Sequence, residues 1–424
     1  MLTKYDAIVM GAGPAGSSAA ILLARAGWSI ALIEKQAFPR RKVCGECIAA
    51  SNLPLIEALG IAPGFDAGAG ADLHQVALIC GKRKVVADLP PARHARYRWG
   101  RALGRETLDT LLLEQARSTG VRVYQPWSVQ AIEGEPAHWR CTIASVDTGS
   151  TQTLHAPVAI DAHGSWASLP SARMRQRRRR KASDLLAFKA NFHGAALEQG
   201  LLPVLLFDGG YGGMVVTGGG VTTVACCIRR DRLVACRRLS CRSSAGDTIE
   251  AMLKRECDAV RLTLQSARRG GPWLAAGPLD PGIHLHAADG FFRIGNAAGE
   301  AHPIIGEGMS MALQSAWLLC ANLLGAGHRD KLLEAEWQRE IGRNYEMQWR
   351  RQFAPRLRLA AGFATMAMRP ASAALIMDIT AAWPDLLTMG ARWGGKTSCA
   401  VDAAMIARFL NHNGNGLTTI GDRT

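Results

Sequence analysis

The strongest constraint on this chain is near its start. The apolar run Tyr5-Asp6-Ala7-Ile8-Val9-Met10 breaks into Gly11-Ala12-Gly13-Pro14-Ala15-Gly16, and a helical pattern follows over residues 15–26. A strand that turns on glycine into a helix has one well-attested use, holding the ADP half of a dinucleotide. Gly11 permits the tight turn, Gly13 leaves the pyrophosphate unobstructed, and Gly16 lets helix and strand pack closely. The helix start, with Ala12, Pro14 and Ala15, offers backbone amides to the phosphates. A second apolar run, residues 29–33, ends at Glu34, where a carboxylate can accept hydrogen bonds from a ribose hydroxyl pair. The basic loop that follows, residues 35–47, would screen phosphates through Lys35 and Lys42.

A chain of 424 residues, 48% hydrophobic, can build two closely packed domains around a large core. The formal charge of +15 comes largely from two arginine runs, residues 173–181 and 229–238. They read as solvated loops or faces, and with no nucleic-acid module beside them no nucleic-acid partner is expected. Eleven cysteines and no leader-like start suggest reduced thiols and a cytoplasmic protein. Cys44-Gly45-Glu46-Cys47 is formally a C-x-x-C, but no second pair or histidine stands at zinc-site spacing, so no metal is expected.

Along the chain, residues 51–60 read as a short helix. Residues 74–79 and 84–89 form a hairpin, and 105–118 an amphipathic helix with Leu108, Leu111, Leu112 and Ala116 on one face. A strand over 155–160 ends at Asp161-Ala162-His163-Gly164. Short β-like runs over 185–228, separated by glycine clusters at 209–213 and 218–220, indicate a mainly antiparallel sheet, with a helix over 247–264 packed on it. An apolar strand then ends at Gly295-Asn296. A Gly/Pro-rich loop carrying Pro303, Gly306 and Gly308 leads into a long apolar helix from Met309 to residue 324. After residue 340 the pattern is helical, with arginines beside apolar stretches, and the tail beyond 412 reads as disordered. Peripheral membrane contact by this region is conceivable but not expected.

Three blocks, Gly11–Gly16 with Glu34, Asp161–Gly164 and Gly295–Gly308, together resemble the FAD-dependent monooxygenase and geranylgeranyl-reductase superfamily, whose fold is that of p-hydroxybenzoate hydroxylase. The resemblance implies an α/β (α+β overall) chain. A Rossmann-like FAD domain (1–70, 101–170, 271–340) would be interrupted by a mainly antiparallel substrate domain (71–100, 183–270), with C-terminal helices over 341–412. Carried over by position, Arg105 would approach the FAD phosphates, Asp161 would be the second acidic motif, and Asn296 would stand where an aspartate is usual. Gly295, Pro303, Gly306, Gly308 and Met309 would line the flavin end. Lys42-Val43-Cys44-Gly45-Glu46 and Phe207–Gly213 resemble the reductase branch. That places Cys44 near the flavin with Glu46 as candidate acid/base groups, and Tyr211 and Gly212 near substrate.

The expected function is an FAD-dependent oxidoreductase, foremost a monooxygenase hydroxylating an aromatic or polyketide-like secondary metabolite. NAD(P)H would be a transient reductant and O2 the oxidant; the substrate would be hydrophobic or carrier-bound. The alternative is a flavin reductase or dehydrogenase acting on a C–C bond. The absence of a Trp-x-Trp-x-Ile-Pro motif disfavours a halogenase. Loss of the usual aromatic segment after Gly-Tyr-Gly disfavours reduction of a long isoprenoid.

Overall fold

The computed structural model describes residues 3–165, 180–238, 244–285, 290–325, 329–402 and 404–407. The chain opens with strand β1 (Ala7–Met10), helix α1 (Pro14–Arg25) and strand β2 (Ile30–Ile33). Every residue of both strands is buried, as continuous apolar runs in a parallel sheet must be. Gly11 sits at φ +109°, and a Cβ on Gly16 would lie 1.9 Å from the Gly11 carbonyl oxygen. The turn and the strand–helix contact therefore both require glycine.

A hairpin follows, β3 (Gln75–Cys80) and β4 (Arg83–Asp88), then helix α2 (Arg105–Ser118) and strand β5 (Arg122–Tyr124). Three antiparallel strands come next, β6 (Trp127–Glu133), β7 (Trp139–Ser145) and β8 (Thr151–Ala156). Strand β9 (Val158–Asp161) returns to the parallel sheet beside β1. The single strand read over 155–160 is thus two strands in two sheets, parted at Pro157, which has no amide to donate to a ladder.

The second large sheet contains β10 (Leu185–His193), β11 (Leu201–Phe207), β12 (Gly210–Val216) and β13 (Thr222–Arg229). Its path runs β10-β13-β12-β11-β3-β4, so the early hairpin joins it; the β11–β3 pair is parallel and the other pairs on this path are antiparallel. Glycines 210, 212 and 213, read as a break, lie inside β12. A Cβ on Gly210 would stand 2.5 Å from the Cys227 oxygen, and one on Gly212 2.8 Å from the Ala225 oxygen. Here glycine serves close packing, not a turn.

Helices α3 (Arg230–Arg238), α4 (Ala245–Glu256) and α5 (Asp258–Thr263) follow this sheet, two of them where one long helix was expected and the first where none was. The second arginine run lies on β13 and α3, with Arg229 paired to Asp231, Arg230 to Asp184, and Arg232 to Asp208 and Glu256. The first run falls almost wholly outside the described residues, as does the tail beyond 412.

Strand β14 (Phe292–Arg293) completes a five-stranded parallel sheet in the order β14-β9-β1-β2-β5. Helix α6 (Gly308–Gly325) is buried along most of its length and packs on α1. Helices α7 (Ala335–Ala367), α8 (Pro370–Ala382) and α9 (Asp385–Trp393) follow. The fold is α/β: a Rossmann-like sheet in one layer, a mainly antiparallel sheet beside it, and terminal helices across both.

Candidate functional site

The site begins at α1. Gly13 caps the helix with no side-chain acceptor on its first amides, and Pro14 sits in the first turn, where its missing N–H costs nothing. A Cβ on Gly13 would meet only the Arg105 Nη2, 3.8 Å away, so the space before the helix start is open. This is the cradle a pyrophosphate needs. Beside it, Glu34 is buried at the end of β2. Its Oε2 accepts from the Ala12 N–H at 3.1 Å and its Oε1 from the Gln36 N–H at 2.9 Å, with Arg40 Nη1 at 3.3 Å. Lys35 is exposed beside this network.

Arg105 starts α2, buried, its guanidinium bidentate to the Asp109 carboxylate at 2.8 Å on both arms. Burial, the largest single influence, would lower its pKa; the charges and hydrogen bonds of Asp109 and Cys44 together outweigh it, and the pKa is raised. The cation is held beside Gly13 and Cys44. Lys42 is half-buried in the same wall, and desolvation, with Arg105 and Arg40 nearby, lowers its pKa to about 8. Both cations suit a phosphate-bearing ligand more than an empty cleft.

From this cradle a cavity of ≈ 770 Å³ runs between the two sheets. Of the residues singled out in sequence, it is lined by Gly13, Pro14, Ala15, Lys42, Cys44, Glu46, Arg105, Tyr211, Gly212, Gly295, Asn296, Pro303, Gly306, Gly308 and Met309. Gly11, Ala12, Gly16, Glu34, Lys35 and Asp161 stand outside it. Asp161 is engaged by the His163 ring and the His163 N–H, and lies 3.8 Å from Arg293 Nε, so it holds the turn after β9. Asn296 faces the cavity and donates from Nδ2 to the Ser165 hydroxyl at 2.7 Å. At the far end Gly306 is left-handed, φ +63°, and a Cβ on Gly308 at the start of α6 would meet nothing within 4 Å. Two helix starts with open space before each therefore face one elongated cavity.

Glu46 is 2% exposed and sits at φ +59°. Its Oε1 accepts from the Arg105 N–H at 3.0 Å and from the Lys189 ammonium, and its Oε2 from the Thr223 hydroxyl at 2.5 Å. The carboxylate ties the 35–47 loop to α2 and to the antiparallel sheet. The Cys44 thiol accepts the Glu46 N–H at 3.4 Å.

Other chemistry in and beside the cavity escaped sequence reading. Glu300 is buried, accepts the Asp280 N–H at 3.4 Å, and burial pushes its pKa up to about 7. The Tyr211 hydroxyl lies 3.1 Å from Nδ1 of His302. Burial raises the Tyr211 pKa well above the usual phenol value and lowers that of His302, so both are held neutral. Glu307, fully buried, stands 3.3 Å from Lys396 Nζ and 3.8 Å from Arg356 Nη1. The only sequence hint was that Glu300, His302 and Glu307 fall in the Gly/Pro-rich loop.

A Rossmann-like sheet with an open glycine cradle, a buried acid at the end of the second strand and a long cavity roofed by a second sheet defines a flavoprotein-type site. The chain belongs to the FAD binding domain family, whose model matches residues 4–226. A tryptophan 2-halogenase from Chondromyces crocatus is 26% identical over 364 residues, covering 81% of this chain and 66% of that protein, just under two thirds of its length. Among solved structures, the flavin-dependent brominase Bmp2 superposes with a TM-score of 0.73 at 18% identity, over 96% of this chain and 98% of that one. A geranylgeranyl bacteriochlorophyll reductase-like protein from Thermoplasma acidophilum gives a TM-score of 0.66 at 16% identity, over 97% and 96%. At such identities these structural likenesses speak to the fold alone. The expected superfamily and α/β fold are established. The low rank given to halogenation meets a counterweight in the curated relative.

Proposed function

We propose that the protein is an FAD-dependent monooxygenase that hydroxylates a large, apolar, ring-bearing molecule, with NAD(P)H as a transient reductant. The observation that carries this is the single cavity. Its phosphate-cradling end passes into a chamber walled by Leu78, Phe188, Val204, Met214 and Leu279, in which Glu300 and Tyr211 are also buried, with half-buried His302 behind Tyr211. FAD would lie with its pyrophosphate at Gly13, Arg105 and Lys42, its ribose at Glu34, its ribityl chain by Asn296 and its ring system towards Gly306–Met309. Bound there, it supplies two-electron redox chemistry and, when reduced, the activation of oxygen.

The chain's own groups do the rest. The backbone amides of Gly308 and Met309 at the start of α6 favour negative charge on the reduced ring system. The apolar walls exclude water, which protects a reactive oxidant from hydrolysis. Glu300, poised near neutrality, takes the proton of a ring hydroxyl as oxygen is transferred, and raises the electron density of the ring. The Tyr211–His302 pair fixes the position of that hydroxyl. Glu46, its oxygens already occupied, holds the loop in place.

A second reading, halogenation, is favoured by the curated relative and by the Lys42 and Lys396 amines on the cavity wall, either of which would bind an oxidised halogen species. One experiment separates the two. The FAD-loaded protein is reduced with NADPH or NADH and exposed to oxygen with a panel of alkylated phenols, with and without bromide. Oxygen uptake coupled to a hydroxylated product, indifferent to bromide, supports hydroxylation. Bromide-dependent ring bromination replaces that reading with the second.

A further inference from the structure

The last three helices wall the far side of the cavity and also carry an unusual surface. Leu359, Met366, Leu386 and Trp393 line the cavity, yet are 37%, 47%, 39% and 62% exposed. Side chains that do both stand at its mouth. Outside the cavity, Leu375 and Ile379 lie one turn apart on α8. Trp383 follows the helix at 64% exposure, and Met389 shares a face of α9 with Leu386 and Trp393. Three successive helices thus present large apolar side chains to solvent around one opening, where a monomeric protein ordinarily scatters them singly.

The charge around this opening is mainly positive. Residues 347–396 contain two acids, Asp378 and Asp385, against six arginines and one lysine. Asp378 is neutralised by Arg83 at 2.7 Å. Arg351, Arg358, Arg369 and Arg392 are exposed and form no ion pair among the described residues. No single described helix is long and apolar enough to cross a membrane.

We infer that this face docks on an anionic lipid bilayer, α8 and α9 lying in the headgroup layer, so that the cavity mouth opens onto the membrane. Exposed tryptophans beside aliphatic side chains fit the interfacial zone of a bilayer, and unpaired arginines fit its anionic headgroups. An acidic protein partner would account for the arginines but not for two tryptophans, three leucines, an isoleucine and two methionines left in water. Docking also explains why the mouth is greasy: a lipid-soluble substrate would pass from bilayer to chamber without crossing water. That last step rests on the apolar-substrate reading above; the docking itself does not.

The test uses the full FAD-loaded chain and sedimentation with vesicles of phosphatidylcholine alone, or with about a third phosphatidylglycerol. The anionic vesicles should bind at least about tenfold more tightly, and raising salt from about 0.1 M to 0.5 M should weaken that binding. The combined variant Leu375→Ser, Ile379→Ser, Trp383→Ser alters exposed residues outside the cavity. It should keep its flavin absorbance, which reports folding, and bind anionic vesicles about tenfold more weakly. Absence of binding to either vesicle, or unchanged binding by the variant with flavin retained, overturns the inference. So does capture of an acidic acyl carrier protein by a chain that ignores vesicles. None of these readouts depends on turnover, so failure of docking and failure of the hydroxylase reading are told apart.

Discussion

The phenol of Tyr211, from the antiparallel sheet, lies 3.1 Å from Nδ1 of His302, from the loop before α6. The contact ties the antiparallel sheet to that loop at the cavity wall. With Tyr211 and His302 both held neutral by burial, the phenol keeps its proton and shares a hydrogen bond with the ring nitrogen. Tyr211→Phe removes this bond and leaves the ring in place. Turnover should fall by about 10²-fold with FAD affinity unchanged, since positioned proton-handling groups contribute about that much. Rapid-quench kinetics beside a flavin titration check this; an unchanged rate would remove the pair from the chemistry.

Glu300 gives the cavity a pH signature. Burial favours its protonated form and lifts its pKa to about 7, above the ordinary 4.5. Its stabilising contribution is therefore complete at acid pH and is lost as pH rises from the unfolded value through about 7, where the unfolded chain has shed the proton and the folded chain has not. Glu300→Gln should unfold with on the order of 3 kcal/mol more free energy than the natural chain at pH 8, and the two should converge towards pH 4. Denaturant titrations across this range measure the difference. The rate of the natural enzyme should rise with pH about a midpoint near 7, and the variant should lose that limb.

Lys42, lowered to about 8 by burial and two arginines, should couple FAD binding to proton uptake. The pyrophosphate favours the ammonium, so affinity should be flat below pH 8 and fall as pH rises above it. Calorimetry in buffers of different ionisation enthalpy would register the proton. Lys42→Met should bind FAD about tenfold more weakly at pH 7 and show no such pH dependence.

The two nearby glycines should fail in different ways. A Cβ at Gly16 would press 1.9 Å from a backbone oxygen, so Gly16→Ala should destabilise the fold by about 3 kcal/mol or prevent folding. A Cβ at Gly13 meets open space in the protein itself, so the Gly13→Ala apoprotein should melt near the natural chain. It should bind FAD about tenfold or more weakly, because the methyl occupies the pyrophosphate's place. Thermal melts with and without FAD distinguish the two.

Glu46 and Lys189, 2% and 1% exposed, form the buried pair that ties the 35–47 loop to the antiparallel sheet. Lys189→Met alone should cost about 3–5 kcal/mol by stranding the carboxylate, while Lys189→Met with Glu46→Gln should recover most of it. A double-mutant cycle on unfolding free energies reads the coupling.

Much of this architecture is legible in the sequence because its signals are local. The Gly11–Gly16 turn, the amphipathic 105–118 helix and the 75–88 hairpin each announce themselves within a short window. What escaped depends on distant partners. Strands over 127–156 belong to a separate antiparallel sheet, and their half-buried pattern is weak. The glycines at 210–213 look like a turn because the neighbouring oxygens of Ala225 and Cys227, which exclude a side chain there, come from another strand. Glu300 is an ordinary glutamate in the sequence; only burial against the antiparallel sheet makes it titrate near neutrality. Glu46 looked like an acid/base candidate by its place beside Cys44, and the Lys189 and Thr223 that occupy it lie more than a hundred residues away.

The central claim is that oxygen activated in this cavity is inserted into an apolar ring. It is tested most directly by turnover under ¹⁸O₂ with alkylated phenols, followed by mass spectrometry of the product. The account expects one ¹⁸O atom per product molecule and none from labelled water. A product formed without oxygen, or one carrying halogen in place of the label, would contradict it.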